Sequence, residues 1–212
     1  MRIVSINVAR PAIYDYADKQ ITTGGYKQPV AAAMLRSRGF EGDGQADLKN
    51  HGSRDQAVLI YAAEHYPYWE ARLGRPLAPG AFSENLTVTG ATEAELCIGD
   101  IVQIGAALAQ VSQPRQPCYK LAYKLNEPRL ADWIIAARQG GSYCRVLSEG
   151  LVTTGAELTV IERHPDRVSI AMVNDLIYDR VQDWALIERL VAMPELSADN
   201  RQRFAKKLTR RA

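Results

Sequence analysis

The chain has 212 residues, 47% of them hydrophobic and 24% charged, which is enough apolar content to bury a core without metal or disulfide staples and too much for intrinsic disorder. No apolar run approaches the roughly 18 residues that a membrane-spanning helix needs, and Met1-Arg2-Ile3-Val4-Ser5-Ile6 enters a strand-like pattern without a signal-peptide core, so a soluble, cytoplasmic protein with no membrane partner is the expectation. The formal charge of +2 is uneven: residues 195–212 hold six Lys/Arg against two Asp/Glu, a charge of +4, so the rest of the chain carries the difference, −2. A basic excess confined to the tail argues against nucleic-acid binding, while leaving a short cationic segment able to meet an acidic partner.

In chain order, residues 1–164 read as short strands separated by turns, which favours a β-barrel or sandwich over a βαβ wind. Strands are predicted at 2–8, 56–61 and 85–88, then at 101–104 and 107–112 on either side of Gly105, and at 143–147 and 158–161. Two helices interrupt them. The first, 64–73, carries His65, Trp69 and Leu73 at four-residue steps; the second, 129–139, follows Pro128, places Leu130, Trp133, Ile134 and Ala137 on one face, and stops at Gly140-Gly141. After His164-Pro165-Asp166 the period lengthens to three or four. Ser169 can cap a helix bearing Ile170, Val173 and Ile177; Trp184, Ile187 and Val191 mark a second helix, ended by Pro194; Ser197 can cap a third with Phe204 and Leu208. The expected fold is thus mainly β with peripheral helices over 1–164, followed by a three-helix domain over 165–212.

The three cysteines, at 97, 118 and 144, are odd in number and include no C-x-x-C pair, so neither a disulfide framework nor a zinc ribbon is indicated. Cys97 reads as core and Cys144 as structural. Cys118 differs: it follows Ser112-Gln113-Pro114-Arg115-Gln116-Pro117, and Arg115 and Lys120 flank it with positive charge that favours a thiolate. A thiolate is what a soft metal ion or a sulfur-transfer reaction requires, although an inert buried thiol is the commoner fate of a free cysteine. A second polar segment, residues 39–55, crowds Asp43, Gln45, Asp47, His51, Arg54 and Asp55 among glycines. A metal site from Asp43, Asp47, His51 and Asp55 is one reading; carboxylates that close turns and pair with Arg54 is the favoured one. His65 reads as packing beside Tyr66 and Trp69, and the basic tail as a solvated helix face.

These segments, taken together, resemble a known family. Gly39-Phe40-Glu41-Gly42-Asp43-x-Gln45-x-Asp47, His51-Gly52, Asp55-x-Ala57-Val58, Glu84-Asn85-Leu86, Gly99-Asp100 and Gln113-Pro114-Arg115-x-Pro117-Cys118-x-Lys120-Leu121 resemble the MOSC domain in order and spacing. Thr23-Gly24-Gly25-Tyr26-Lys27-Gln28-Pro29-Val30 and the helical tail narrow the likeness to the YiiM-like subfamily, a MOSC β-barrel with a small three-helix domain. Departures from the usual pattern fall at Ser53 and Ser83, where glycine is common, and at Gln56, where lysine is.

The resemblance implies a molybdenum cofactor (molybdopterin) with Cys118 as both metal ligand and catalytic cysteine, and with Lys27, His51, Arg54, Asn85, Arg115 and Lys120 contacting the cofactor or substrate. It also implies reduction of N-hydroxylated base analogues such as 6-hydroxylaminopurine to the amine, a detoxification fed by a separate flavoprotein reductase. Two other readings stand beside it: a sulfur carrier holding a persulfide on Cys118, and a non-catalytic anion-binding module with a basic partner-binding tail. The sequence sets no oligomeric state.

Overall fold

Alternation of inward Ile3 and Ser5 with outward Arg2 and Val4 makes a half-buried strand of β1 (Arg2–Val8). The computed structural model describes residues 1–16 and 19–211. After β1 come a hairpin, β2 (Ala12–Tyr16) and β3 (Lys19–Thr23), then β4 (Gln28–Val30), β5 (Ala32–Arg36) and β6 (Gly39–Phe40). A one-turn helix, α1 (Leu48–His51), and a 3-10 turn, Arg54–Gln56, lead into β7 (Val58–Ala62); a second 3-10 turn, Ala63–His65, runs into α2 (Tyr66–Leu73). The chain continues through β8 (Leu86–Thr89), β9 (Ile101–Ile104), β10 (Ala107–Pro114), α3 (Tyr119–Leu125), α4 (Leu130–Ala137), β11 (Ser142–Ser148), β12 (Gly150–Thr153) and β13 (Leu158–Glu162). It ends in α5 (Ile170–Ile177), α6 (Trp184–Ala192) and α7 (Ala198–Thr209).

Eight strands pair in the order β13-β9-β10-β11-β7-β8-β1-β4, antiparallel except for β7 and β8. The two ends of this sheet do not form a ladder. Instead β1 meets the approach to β13 through Ile3 N–H to the Ala156 carbonyl, Gly155 N–H to that of Ile3, Leu158 N–H to that of Met1, and the Arg2–Glu157 bridge. These contacts round the sheet into a barrel around Ile3, Ile6, Val58, Ile60, Leu86, Val102, Ile104 and Val111. A small sheet, β12-β5-β6, stands beside it.

Strand β7 is buried on both faces, and its alternation divides two cores. Val58 and Ile60 face the barrel interior, whereas Tyr61 faces a second cluster of Trp69, Phe82, Leu121, Leu125, Leu130 and Ile134, supplied largely by α2, α3 and α4. Leu59, on the Tyr61 face, is left to line the cavity described below. The C-terminal helices begin at side-chain caps, Ser169, Asp183 and Ser197 accepting from the N–H groups of Met172, Leu186 and Asn200. Their apolar sides, including Ile170, Val173, Leu186, Leu190 and Phe204, share one apolar cluster with the barrel interior.

The predicted strands and helices are present, with ends shifted by a few residues. The hairpin β2–β3, the small sheet and α3 were not predicted. The hairpin escapes notice because, among its described residues, only Thr23 is buried, so no inside–outside alternation marks it. Among the described residues no helix is long and apolar enough to cross a membrane.

Candidate functional site

A cavity of about 120 Å³ opens on the outer face of β7. It is walled by three segments distant in sequence: the Thr23–Lys27 stretch after the hairpin, the loop from Gly44 to His51, and the run from Arg115 into α3. The first two pass in direct contact, since a Cβ on Gly24 would stand 2.1 Å from the Gly44 carbonyl oxygen. Side chains larger than hydrogen would push these walls apart.

Cys118 lines the cavity from the N-cap of α3, half-buried, with extended backbone (φ −96°, ψ 146°) and a side chain that takes no part in capping. The other two cysteines differ. Cys144 is fully buried in the barrel, which pushes its thiol up to about 12, and burial likewise raises Cys97. Cys118 is the thiol placed where a ligand can reach it.

Around Cys118 the cavity gathers Lys27, Arg115, Lys120 and Lys124, with Asp47 as the one acidic side chain among the described residues of its walls. Arg115 is 4% exposed, yet its guanidinium meets only the carbonyls of Phe82 (3.1 Å) and Gly140 (3.4 Å), and no carboxylate lies in ion-pair range among the described residues. Lys124 Nζ donates to the carbonyls of Gly25 (2.8 Å) and Gly80, and burial lowers its pKa to about 8. Lys120 Nζ donates to the Thr22 carbonyl at 3.1 Å, tying α3 to the hairpin. Lys27 is ion-paired with buried Asp43; burial lowers its pKa while that contact opposes the shift. His51 is also pulled down, chiefly by burial, with Asp47 opposing the shift and Lys120 and Arg115 adding to it, which favours the neutral imidazole. Buried cations without acids cost desolvation energy that an anionic ligand would offset.

Five of the six cofactor contacts implied by the resemblance therefore come together with Cys118: Lys27, His51, Asn85, Arg115 and Lys120. Arg54 does not. It is exposed on its 3-10 turn, because the same turn that brings Gln56 into the cavity wall points Arg54 to solvent. Asn85 reaches the wall with its amide already committed: Oδ1 accepts from Leu59 N–H (3.1 Å), and Nδ2 donates to Asp43 (2.8 Å) and Asn7 O (3.4 Å). It acts as a strut instead of a free donor.

Nor does the acidic loop form a cluster. Asp43 holds Ala9 N–H, Lys27 and Asn85; Asp47 caps α1 at Asn50; Asp55 lies 2.9 Å from Arg145 Nε, not against Arg54 as the sequence suggested. Among the described residues no group of three or more His, Cys, Asp or Glu could hold a metal ion. His65 packs edge-on to Tyr61 and bonds Glu93 at 2.7 Å, away from the cavity.

Sequence reasoning missed Lys124, Tyr26, Gln56 and Tyr143. Lys124 follows Lys120 by four residues, one helical turn, and the spacing Leu121, Ala122, Leu125 could have shown the helix that aligns them. Gln56 stands where the family commonly has lysine, and its buried amide oxygen has no partner. Ser83, where glycine is usual, adopts φ +63°; its Oγ donates to the Gly25 carbonyl at 2.8 Å, partly offsetting a left-handed conformation that costs roughly 1–2 kcal/mol.

The MOSC domain pattern matches residues 47–159, which run from the Asp47 cap to the start of β13. An uncharacterized protein of Bacillus subtilis, YflK, is 44% identical over 98% of this chain and 95% of its own length. The crystal structure of YiiM from Geobacillus stearothermophilus superposes with a TM-score of 0.83 at 40% identity, covering 98% of both chains. A protein of Gibberella moniliformis named "Reductase" is 33% identical over 82% of this chain, a match that occupies 32% of that longer protein. With the pattern spanning more than half the chain and relatives collinear from end to end, the protein belongs to the MOSC domain family, among its YiiM-like members.

Proposed function

We propose that this protein is the cofactor-holding component of an oxidoreductase that reduces N-hydroxylated compounds, and that the cofactor is a molybdenum pterin. The observation that carries the reading is the pairing of an accessible thiol, Cys118, with a buried guanidinium, Arg115, that has no acid to neutralise it. The residues fit the group. A soft thiolate suits molybdenum, and the cations of the wall suit a pterin phosphate. Gln56 adds an unpartnered buried oxygen that can accept from a ring N–H. The fungal relative named as a reductase agrees with redox chemistry.

When bound, the metal would supply the two-electron chemistry that the side chains lack. Cys118 would hold it, while Arg115, Lys120 and Lys124 neutralise the phosphate and Lys27 is kept in place by Asp43 and its strut Asn85. Neutral His51 can donate or accept a hydrogen bond without adding charge. Lys124, with its pKa near 8, is a group that can release a proton close to neutral pH. The overall conversion takes R–NHOH, two electrons and two protons to R–NH₂ and water, the electrons coming from a separate flavoprotein.

The test is molybdenum and pterin content per chain, measured with 6-hydroxylaminopurine reduction driven by dithionite-reduced methyl viologen. Cys118→Ser should remove bound metal and abolish turnover with the melting temperature within a degree or two of the cofactor-free parent, because a serine hydroxyl is a poor ligand for a soft metal. Persulfide on Cys118 in protein free of molybdenum would instead favour the sulfur carrier. Normal turnover by Cys118→Ser would overturn both.

A further inference from the structure

Helix α7 and the two residues that follow it carry six cations, and the structure sorts them into two sets. Lys207 is paired with Asp179 at 2.7 Å, Arg211 lies 3.9 Å from Glu188, and Arg201 is partly buried. Arg203, Lys206 and Arg210 are exposed and, among the described residues, have no carboxylate in ion-pair range. Their spacing of three and four residues puts them on one face of the helix, over roughly 10 Å at 1.5 Å per residue. With Ile177, Gln202 and Lys207 they edge an open groove of about 450 Å³ whose one acid is Asp199.

This ridge begins at the catalytic cavity. Arg203 Nη2 donates to Gln116 Oε1 at 3.0 Å, and Gln116 lines the cavity two residues from Cys118. Two residues of chain span at most about 7 Å, so the near end of the ridge lies beside the proposed metal ligand. The rest of the chain is net acidic, so the basic excess in sequence belongs to this C-terminal segment. Uncompensated exposed cations beside a redox site match what a transient electron-transfer contact needs: small area, charge complementarity and fast release.

We propose that the Arg203–Lys206–Arg210 ridge is the docking site of an acidic flavoprotein that delivers the electrons. The inference rests on the reductase reading above and names its partner surface. Each turnover draws two electrons from reduced flavin, which is oxidised, while the N–O bond breaks and two protons complete the amine and water. Three free cations fall short of the six to ten phosphate contacts that make a strongly salt-dependent nucleic-acid site, which is why an acidic protein is the favoured partner.

The experiment compares Lys206→Glu/Arg210→Glu with the parent in cofactor-loaded protein, using two donors for 6-hydroxylaminopurine reduction: a reduced acidic flavodoxin, and reduced methyl viologen. The double reversal should raise the flavodoxin KM about tenfold and abolish its salt dependence, with the viologen rate and melting temperature unchanged. Calorimetric titration of cofactor-free protein with oxidised flavodoxin should show the same loss of affinity, independent of turnover. An unchanged flavodoxin KM alongside normal viologen turnover overturns the docking site alone. So does loss of binding to a short DNA duplex with flavodoxin kinetics intact. If the parent turns over with neither donor, the reductase reading fails and this surface falls with it.

Discussion

Two sets of buried charges in this molecule are treated in opposite ways. Behind the cavity, Glu84 is fully buried and fully served, accepting from the Tyr66 hydroxyl, Gly80 N–H (2.8 Å), Phe82 N–H (3.1 Å) and the Thr87 hydroxyl (2.7 Å). Asp100, also fully buried, takes Arg163, Cys97 N–H and His164 N–H, and Glu93 takes His65 and Gly141 N–H. On the cavity wall, Arg115 and Lys124 have only backbone carbonyls. The carboxylates are structural pins with both oxygens hydrogen-bonded. The cations are buried without acids, which costs the protein desolvation energy.

That contrast can be broken at its strongest point first. Glu84→Ala would strand two N–H groups and two hydroxyls in the interior, so a loss of about 3–5 kcal/mol in urea denaturation is expected. A loss under 1 kcal/mol would mean that the network around Glu84 is dispensable and the contrast is false. Arg115→Met should move the other way: unliganded stability within about 1 kcal/mol of the parent, and sulfate or cofactor affinity down by roughly ten- to a hundred-fold, the 1.5–3 kcal/mol of a charge-assisted contact. Arg115→Lys should recover only part of that affinity, lacking the planar fork. Thermal shifts against sulfate concentration measure both variants.

The smallest effect concerns pH. The Lys124 pKa lies near 8, so the group is charged below that value and loses charge as pH rises through it. Sulfate affinity should therefore be flat up to about pH 7 and weaken by up to tenfold by about pH 9, with one proton taken up per anion bound. Lys124→Gln should give weaker binding with a shallower profile; an unchanged slope would show that another group governs the titration.

Much of the site was legible because local chemistry wrote it. Arg115, Cys118 and Lys120 are within six residues of one another, and a cysteine between two cations stands out in any fold. The Ser169 and Ser197 caps and the strand β9 were legible for the same reason, their signals lying within a few residues. Arg54 misled because a motif fixes which residues are near in sequence but not which side of a 3-10 turn each one faces.

By itself, then, the sequence determined the order of strands and helices, the cationic neighbours of Cys118 and the family likeness, since period, caps and charge neighbours are local properties. Tertiary structure alone decided that Gly24 and Gly44 touch, that Lys27 and Lys124 face the same cavity, that Asp55 turns to Arg145, and that Arg203 reaches Gln116 across 87 residues. Those outcomes depend on how β7 divides two cores and how α7 docks against the barrel, and packing of that kind is settled by the fit of distant surfaces, which no short window of sequence contains.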